Sequence, residues 1–213
     1  MDFPVIRLAE PRVVRMVATA RLRDPVLHLL LRDPALGDLP RERLDAMAAE
    51  LAFAYARPRE ANRFSPAGRG AWYAALEVET ALAEVGFHLT RALRDAGRFE
   101  AAIDWAELWA SVAGEYVDLR RIDPRPACLD PDPALGYPAG NALAEEARAA
   151  GLNGIVWPSV RRPGGTCLAA LWPHAVQSVA QGATWRTAWR GAPDPIIAPL
   201  DCADLANRTE NPR

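Results

Sequence analysis

Any anion this chain holds by charge must be held through arginine, because all 25 of its basic residues are arginine and lysine is absent. The abundance of Ala and Pro suggests a codon bias toward G and C as the origin of that absence, but the chemical consequence stands. There is no Schiff-base nucleophile and no P-loop lysine. A guanidinium grips phosphate through a planar fork of donors. Arg63 opens the turn Arg63-Phe64-Ser65-Pro66-Ala67-Gly68, and Arg161 and Arg162 lie between Ser159 and Pro163-Gly164-Gly165. Taken alone, these are solvated loop arginines. Glu84 has His88 four residues later, one helical turn on; taken alone, Glu84 is a surface glutamate and His88 structural or exposed. Tyr73, in an apolar run, reads as core, and Ser159, after Pro158, as a turn residue. No G-x-S-x-G elbow marks a serine hydrolase. Cys128, Cys167 and Cys202 show no C-x-x-C spacing, and His28, His88 and His174 form no H-E-x-x-H motif, so neither a zinc site nor a disulfide framework is expected.

The elements that must position these residues follow from pattern. Val5-Ile6-Arg7-Leu8 reads as an opening strand. Residues 11 to 31 read as two helical pieces interrupted at Pro25, and Leu44, Met47, Ala48, Leu51, Ala52 and Tyr55 as an amphipathic helix. Ala71 to Ala75 is short, aromatic and strand-like. Val78, Ala81, Leu82, Val85, Leu89, Ala92 and Leu93 form one apolar stripe, the strongest helical signal in the chain, with Gly97 as its stop. Residues 106 to 122 read as one or two strands, although Trp105 to Val112 also suits a helix. Residues 123 to 138, with five prolines, read as a long loop, and Asn141 to Ala150 as a helix. Strands are expected at 154–157, 166–172 and 184–189. The whole suggests one α+β domain with a small mixed sheet. It would comprise a strand and helical segment over 1–60, a core over 61–190 and a tail over 191–213. A net charge of −2 argues against a broad nucleic-acid surface. No run of 18 apolar residues suggests a membrane span, and a cytoplasmic location is expected.

Two blocks carry a resemblance. The first runs from Arg63 through Tyr73 to Glu79-Thr80-Ala81-Leu82-Ala83-Glu84, with Tyr73 ten residues after Arg63 and Glu84 eleven after Tyr73. The second is Gly151-Leu152-Asn153-Gly154-Ile155-Val156-Trp157-Pro158-Ser159-Val160-Arg161. Together they resemble the RES-domain family, named for an arginine, a glutamate and a serine. The resemblance spans roughly residues 60 to 175, with Trp157 where the family commonly has tyrosine and Asn141 where glutamine is expected.

That resemblance implies an ADP-ribosyltransferase-like fold and a toxin that consumes NAD⁺ by cleaving the nicotinamide–ribose bond. The ADP-ribose would pass to phosphate or water, or in a variant activity to a protein target; a domain that has lost activity and serves only in binding is the remaining alternative. Glu84 would be the catalytic carboxylate. Arg63 would bind pyrophosphate or incoming phosphate, and Tyr73 would stack on nicotinamide or the ribose edge. Ser159 would bond the ribose or orient Glu84, with Arg161 a second phosphate ligand and His88 a possible support. NAD⁺ would be a substrate and no metal is implied. The implied partner is an Xre-type helix-turn-helix antitoxin that occludes the active site; the antitoxin, not this chain, would contact DNA.

Overall fold

The chain is described by a computed structural model over residues 2–18 and 61–200. The helix expected at residues 44–55 lies outside the described residues, as do positions 19–31 and the end of the chain beyond 200. Seven strands and two helices occur among the described residues: β1 (Val5–Ala18), β2 (Trp72–Ala75), α1 (Val78–Asp95), β3 (Glu100–Asp118), α2 (Pro133–Ala149), β4 (Gly154–Pro158), β5 (Thr166–Ala170), β6 (Val176–Arg190) and β7 (Ile196–Leu200).

The strands form one sheet in the order β1-β2-β5-β4-β3-β6-β7, and β1 also pairs with β3. The pairings from β1 through β2, β5, β4 and β3 therefore return to β1. The circuit is antiparallel except for β3 and β4, which run parallel with Tyr116 opposite Gly154. Inside it sit Trp72, Ala74, Tyr116, Val156, Leu168 and Ala170, all buried. Alternate residues of the same strands face the other way. Ile155, Trp157, Cys167 and Ala169 pack with Leu143, Ala144 and Ala147 of α2, while Val14, Met16 and Ala75 pack with Ala81 and Leu82 of α1. The two-residue period of a strand thus supplies two cores from one set of strands. Burial of each large side chain stabilises by roughly 1.5–3 kcal/mol.

Several sequence expectations change. Residues 11–18 are strand, not helix. Val13, Val14 and Met16 are all buried, so apolar residues fall on both faces of the strand, and Pro11 and Arg12 occupy a register shift between Glu10 and Val13. Trp105 to Val112 lies within one 19-residue strand. The sheet, with seven strands, is larger than expected. The supposed loop at 123–138 ends in a helix. Asp132 caps α2 by accepting from the Ala134 amide at 2.9 Å, and Pro133 takes the first helical position, where its missing N–H costs nothing. The tail expected from 191 begins with β7, which pairs with β6 from Thr184 to Ala188.

Candidate active site

Six elements (β1, β2, α1, α2, β4 and β5) and two turns converge on one cavity of about 220 Å³. Arg63, Tyr73, Glu84, His88 and Arg161 all line it, together with Tyr137, Trp157, Cys167 and, from β1, Val14, Arg15 and Met16. Ser159 is not in the wall but reaches it through Glu84.

Arg63 arrives on a tight turn in which the Asn62 amide donates to the Ser65 carbonyl at 2.8 Å. The turn is fastened from two sides. The Tyr73 hydroxyl accepts from the Phe64 amide at 2.9 Å and lies 3.0 Å from Ser65 Oγ. Asn141 Nδ2 donates to the Asn62 carbonyl at 2.9 Å and to the Tyr137 carbonyl at 2.7 Å. The guanidinium is buried and aimed, with Nη1 donating to the carbonyls of Cys128 at 2.6 Å and Asp130 at 2.9 Å. Two glycines of α2 make this approach possible. A Cβ at Gly140 would fall on the Arg63 carbonyl, and one at Gly136 would sit 2.7 Å from Arg63 Nη1.

Glu84 comes from the middle of α1. Thr80, one turn earlier, is fully buried, and its hydroxyl donates to Glu77 Oε2 at 2.6 Å; the same oxygen accepts the Thr166 amide of β5 at 3.1 Å. The helix start is thereby fixed to the sheet. Arg162 Nη1 donates to Thr80 Oγ1 at 3.2 Å, and Gly165 packs so closely on Thr80 that a Cβ there would strike its hydroxyl. The 159–165 loop is therefore clamped to the first turn of α1, which brings Ser159 to Glu84. Ser159 Oγ accepts the amides of Arg161 at 3.1 Å and Arg162 at 3.0 Å, so its own proton is directed to Glu84 Oε1 at 2.7 Å. Cys167 Sγ approaches the same oxygen at 3.5 Å.

The remaining wall is largely apolar, and its further guanidiniums among the described residues are those of Arg15 and Arg161. Arg161 stacks on Phe87, with 3.4 Å from Cζ to the ring centroid, and donates from Nη2 to the Pro131 carbonyl at 2.9 Å. Its Nε is buried without a hydrogen-bond partner. Burial pulls this guanidinium below its ordinary pKa; Glu84 offsets the effect and Arg63 adds to it. The Arg63 and Arg161 guanidiniums repel one another beside Glu84, the one carboxylate of the wall among the described residues, which makes a site suited to an anion. Tyr73 has its phenol pushed up to about 12 by burial, against the lowering effect of its bonds to Ser65 and Phe64. Burial also raises the thiols of Cys167 and Cys128, so both remain protonated.

The residues nominated from sequence thus meet: Arg63, Tyr73, Glu84 and Arg161 share one cavity, Ser159 bonds Glu84, and His88 lines the wall one turn beyond it. Sequence reading missed Tyr137, hidden in the proline-rich stretch, and the contribution of Asn141, Cys167 and Arg15. A signal for the first was present. Asp132-Pro133 is a cap followed by a first-turn proline, and Gly136, Gly140, Leu143, Ala144 and Ala147 repeat with helical spacing. Among the described residues no cluster of three or more His, Cys, Asp or Glu could hold a metal, and no helix is long and apolar enough to cross a membrane.

Comparison with known proteins gives one family match: the RES domain model matches residues 40–190. No curated protein matches the chain. Among solved structures, one that matches is the crystal structure of the M. tuberculosis MbcT-MbcA toxin-antitoxin complex. It is 18% identical over 84% of this chain and 86% of that chain, with a TM-score of 0.47.

Proposed function

The chain belongs to the RES-domain family, and from that premise we propose that it cleaves NAD⁺ at the nicotinamide–ribose bond as the toxin of a toxin–antitoxin pair. The observation that carries the reading is one carboxylate, Glu84, held at 2.7 Å by the Ser159 hydroxyl inside a cavity that also contains the guanidiniums of Arg63 and Arg161. On the same premise we read the fold as ADP-ribosyltransferase-like.

This donor set suits that bond. When the bond from ribose C1 to the pyridinium nitrogen breaks, its electron pair leaves with nicotinamide, which departs neutral and needs no general acid. Positive charge develops on the ribose. A fixed carboxylate stabilises it and can accept a ribose hydroxyl. Glycosidases that expel an alkoxide ordinarily need a second carboxyl group as acid; here one suffices. The Ser159 proton occupies Oε1 and leaves Oε2 of Glu84 for the substrate. Arg63 and Arg161 hold the pyrophosphate, with the buried Nε of Arg161 a waiting donor. The Tyr73 ring borders the ribose while its hydroxyl fastens the Arg63 turn. A phosphate oxygen, already anionic at pH 7, then bonds to C1 and gives ADP-ribose 1-phosphate; water in the same place gives ADP-ribose and a proton. The family implies an Xre-type helix-turn-helix antitoxin as the partner that covers the cavity.

The test is nicotinamide release from NAD⁺ by the purified chain, with and without inorganic phosphate and with no protein acceptor. Release that Glu84→Gln abolishes supports the reading. Phosphate dependence identifies the acceptor. No release under either condition, or equal release by Glu84→Gln, overturns it.

A further inference from the structure

We infer that Tyr137 is the aromatic platform on which a base of the dinucleotide stacks. The inference rests on the NAD⁺ reading above and goes further, assigning base recognition to a residue of α2.

Among the described residues two tyrosines line the cavity, and they are held differently. Tyr73 is committed to the fold. Its hydroxyl is bonded to Phe64 and Ser65, and its ring meets Trp157 edge-on, with centroids 6.4 Å apart and planes at 82°. Tyr137 is half-buried, and no hydrogen bond of its hydroxyl occurs among the described residues. Its backbone is what is fixed: its carbonyl accepts Asn141 Nδ2, the same group that holds Asn62 beside Arg63. The Arg63 guanidinium lies 5.5 Å from the centre of the Tyr137 ring, and the adjacent Gly136 leaves the space that Arg63 Nη1 occupies. Ring and guanidinium are thus fastened as one unit on the cavity wall. The charges that act on the phenol are those of Arg63, Arg161, Arg91 and Glu84. A flat π surface next to two anion-binding guanidiniums and one carboxylate matches what a nucleotide presents: a heteroaromatic base, a phosphate and a ribose. Base–aromatic stacking is tolerant of base identity, so the base stacked is nicotinamide or adenine.

Binding to the full chain is measured for three ligands: a carbocyclic NAD⁺ analogue that cannot be cleaved, ADP-ribose, which lacks nicotinamide, and nicotinamide mononucleotide, which lacks adenine. Tyr137→Phe is expected to bind all three like the natural protein. Tyr137→Ala is expected to lose about tenfold or more for the analogue, the size of one stacking contact. It should also lose affinity for whichever fragment carries the stacked base and retain affinity for the other. Unchanged affinity for all three ligands overturns the inference. So does an equal loss for all three, since that is the result of disturbing Arg63 alone. If the natural protein binds none of the ligands, the NAD⁺ reading fails and takes this inference with it.

Discussion

Ser159→Ala removes one oxygen that makes three hydrogen bonds, and the structure separates their consequences. The bond to Glu84 Oε1, 2.7 Å long, has a carboxylate as acceptor. Hydrogen bonds to charged groups contribute about 1.5–3 kcal/mol. If all of that acts in the transition state, where the carboxylate faces developing positive charge, kcat falls about 10- to 100-fold at ~1.4 kcal/mol per tenfold. KM for NAD⁺ should move little, because the hydroxyl acts on the substrate through Glu84. The other two bonds, from the amides of Arg161 and Arg162 at 3.1 and 3.0 Å, shape the loop. Neutral bonds of this kind contribute about 0.5–1.5 kcal/mol each, so urea denaturation should register a loss of about 1–3 kcal/mol. The assay pairs initial rates of nicotinamide release with an unfolding curve on the same sample. A folded Ser159→Ala that turns over NAD⁺ within about twofold of the natural protein would refute the assignment of Ser159 as the group that positions Glu84.

Gly140→Ala places a methyl group on the Arg63 carbonyl. Backbone cannot yield as a side-chain tip can, so the turn must shift, at a cost on the order of 1–3 kcal/mol, and KM for NAD⁺ should rise at least several-fold. Alkaline titration offers an independent check on Tyr73, whose phenol is raised from 10.0 to about 12. Below pH 10 the phenol is neutral in both folded and unfolded chains and its contribution is complete. Between pH 10 and about 12 the unfolded chain ionises first, so stability falls as pH rises. Burial shifts Tyr116 and Tyr137 the same way, so the decline measured by urea unfolding should become shallower in Tyr73→Phe without vanishing.

The site was legible through the two blocks that resemble the family, since taken alone Arg63, Glu84 and Ser159 read as a solvated arginine, a surface glutamate and a turn residue; local features gave only the elements that carry them. Glu84 sits one turn beyond Thr80 on the flank of the clearest apolar stripe, Arg63 on a turn, and Ser159 after a strand that ends in proline. Spacing along such elements is set by backbone geometry, which sequence reports directly. The errors fell where local signals conflict. Within residues 11–18, Val13, Val14, Met16 and Val17 put apolar side chains on both faces of a strand, which blurs the alternation that marks one. Five prolines between 123 and 138 masked the start of α2, although Pro133 favours a helix start and only Pro138 opposes its continuation.

The sequence by itself determined the chemical inventory: arginine as the basic residue, a carboxylate on a helix, a serine after a proline, and the α+β character of the chain. Tertiary structure decided what those groups do to one another. The closed circuit of strands brings β5 and the 159–165 loop against the first turn of α1, and only then does the Ser159 proton have Glu84 as its acceptor. Likewise α2 decides that Arg63 is buried and aimed, since the carbonyls of Cys128 and Asp130 and the absent side chains of Gly136 and Gly140 lie some 65 to 77 residues away along the chain. The physical reason is range. Periodicity and caps act over a few residues, whereas the direction of a buried donor depends on which acceptors the packed core leaves within 3 Å of it.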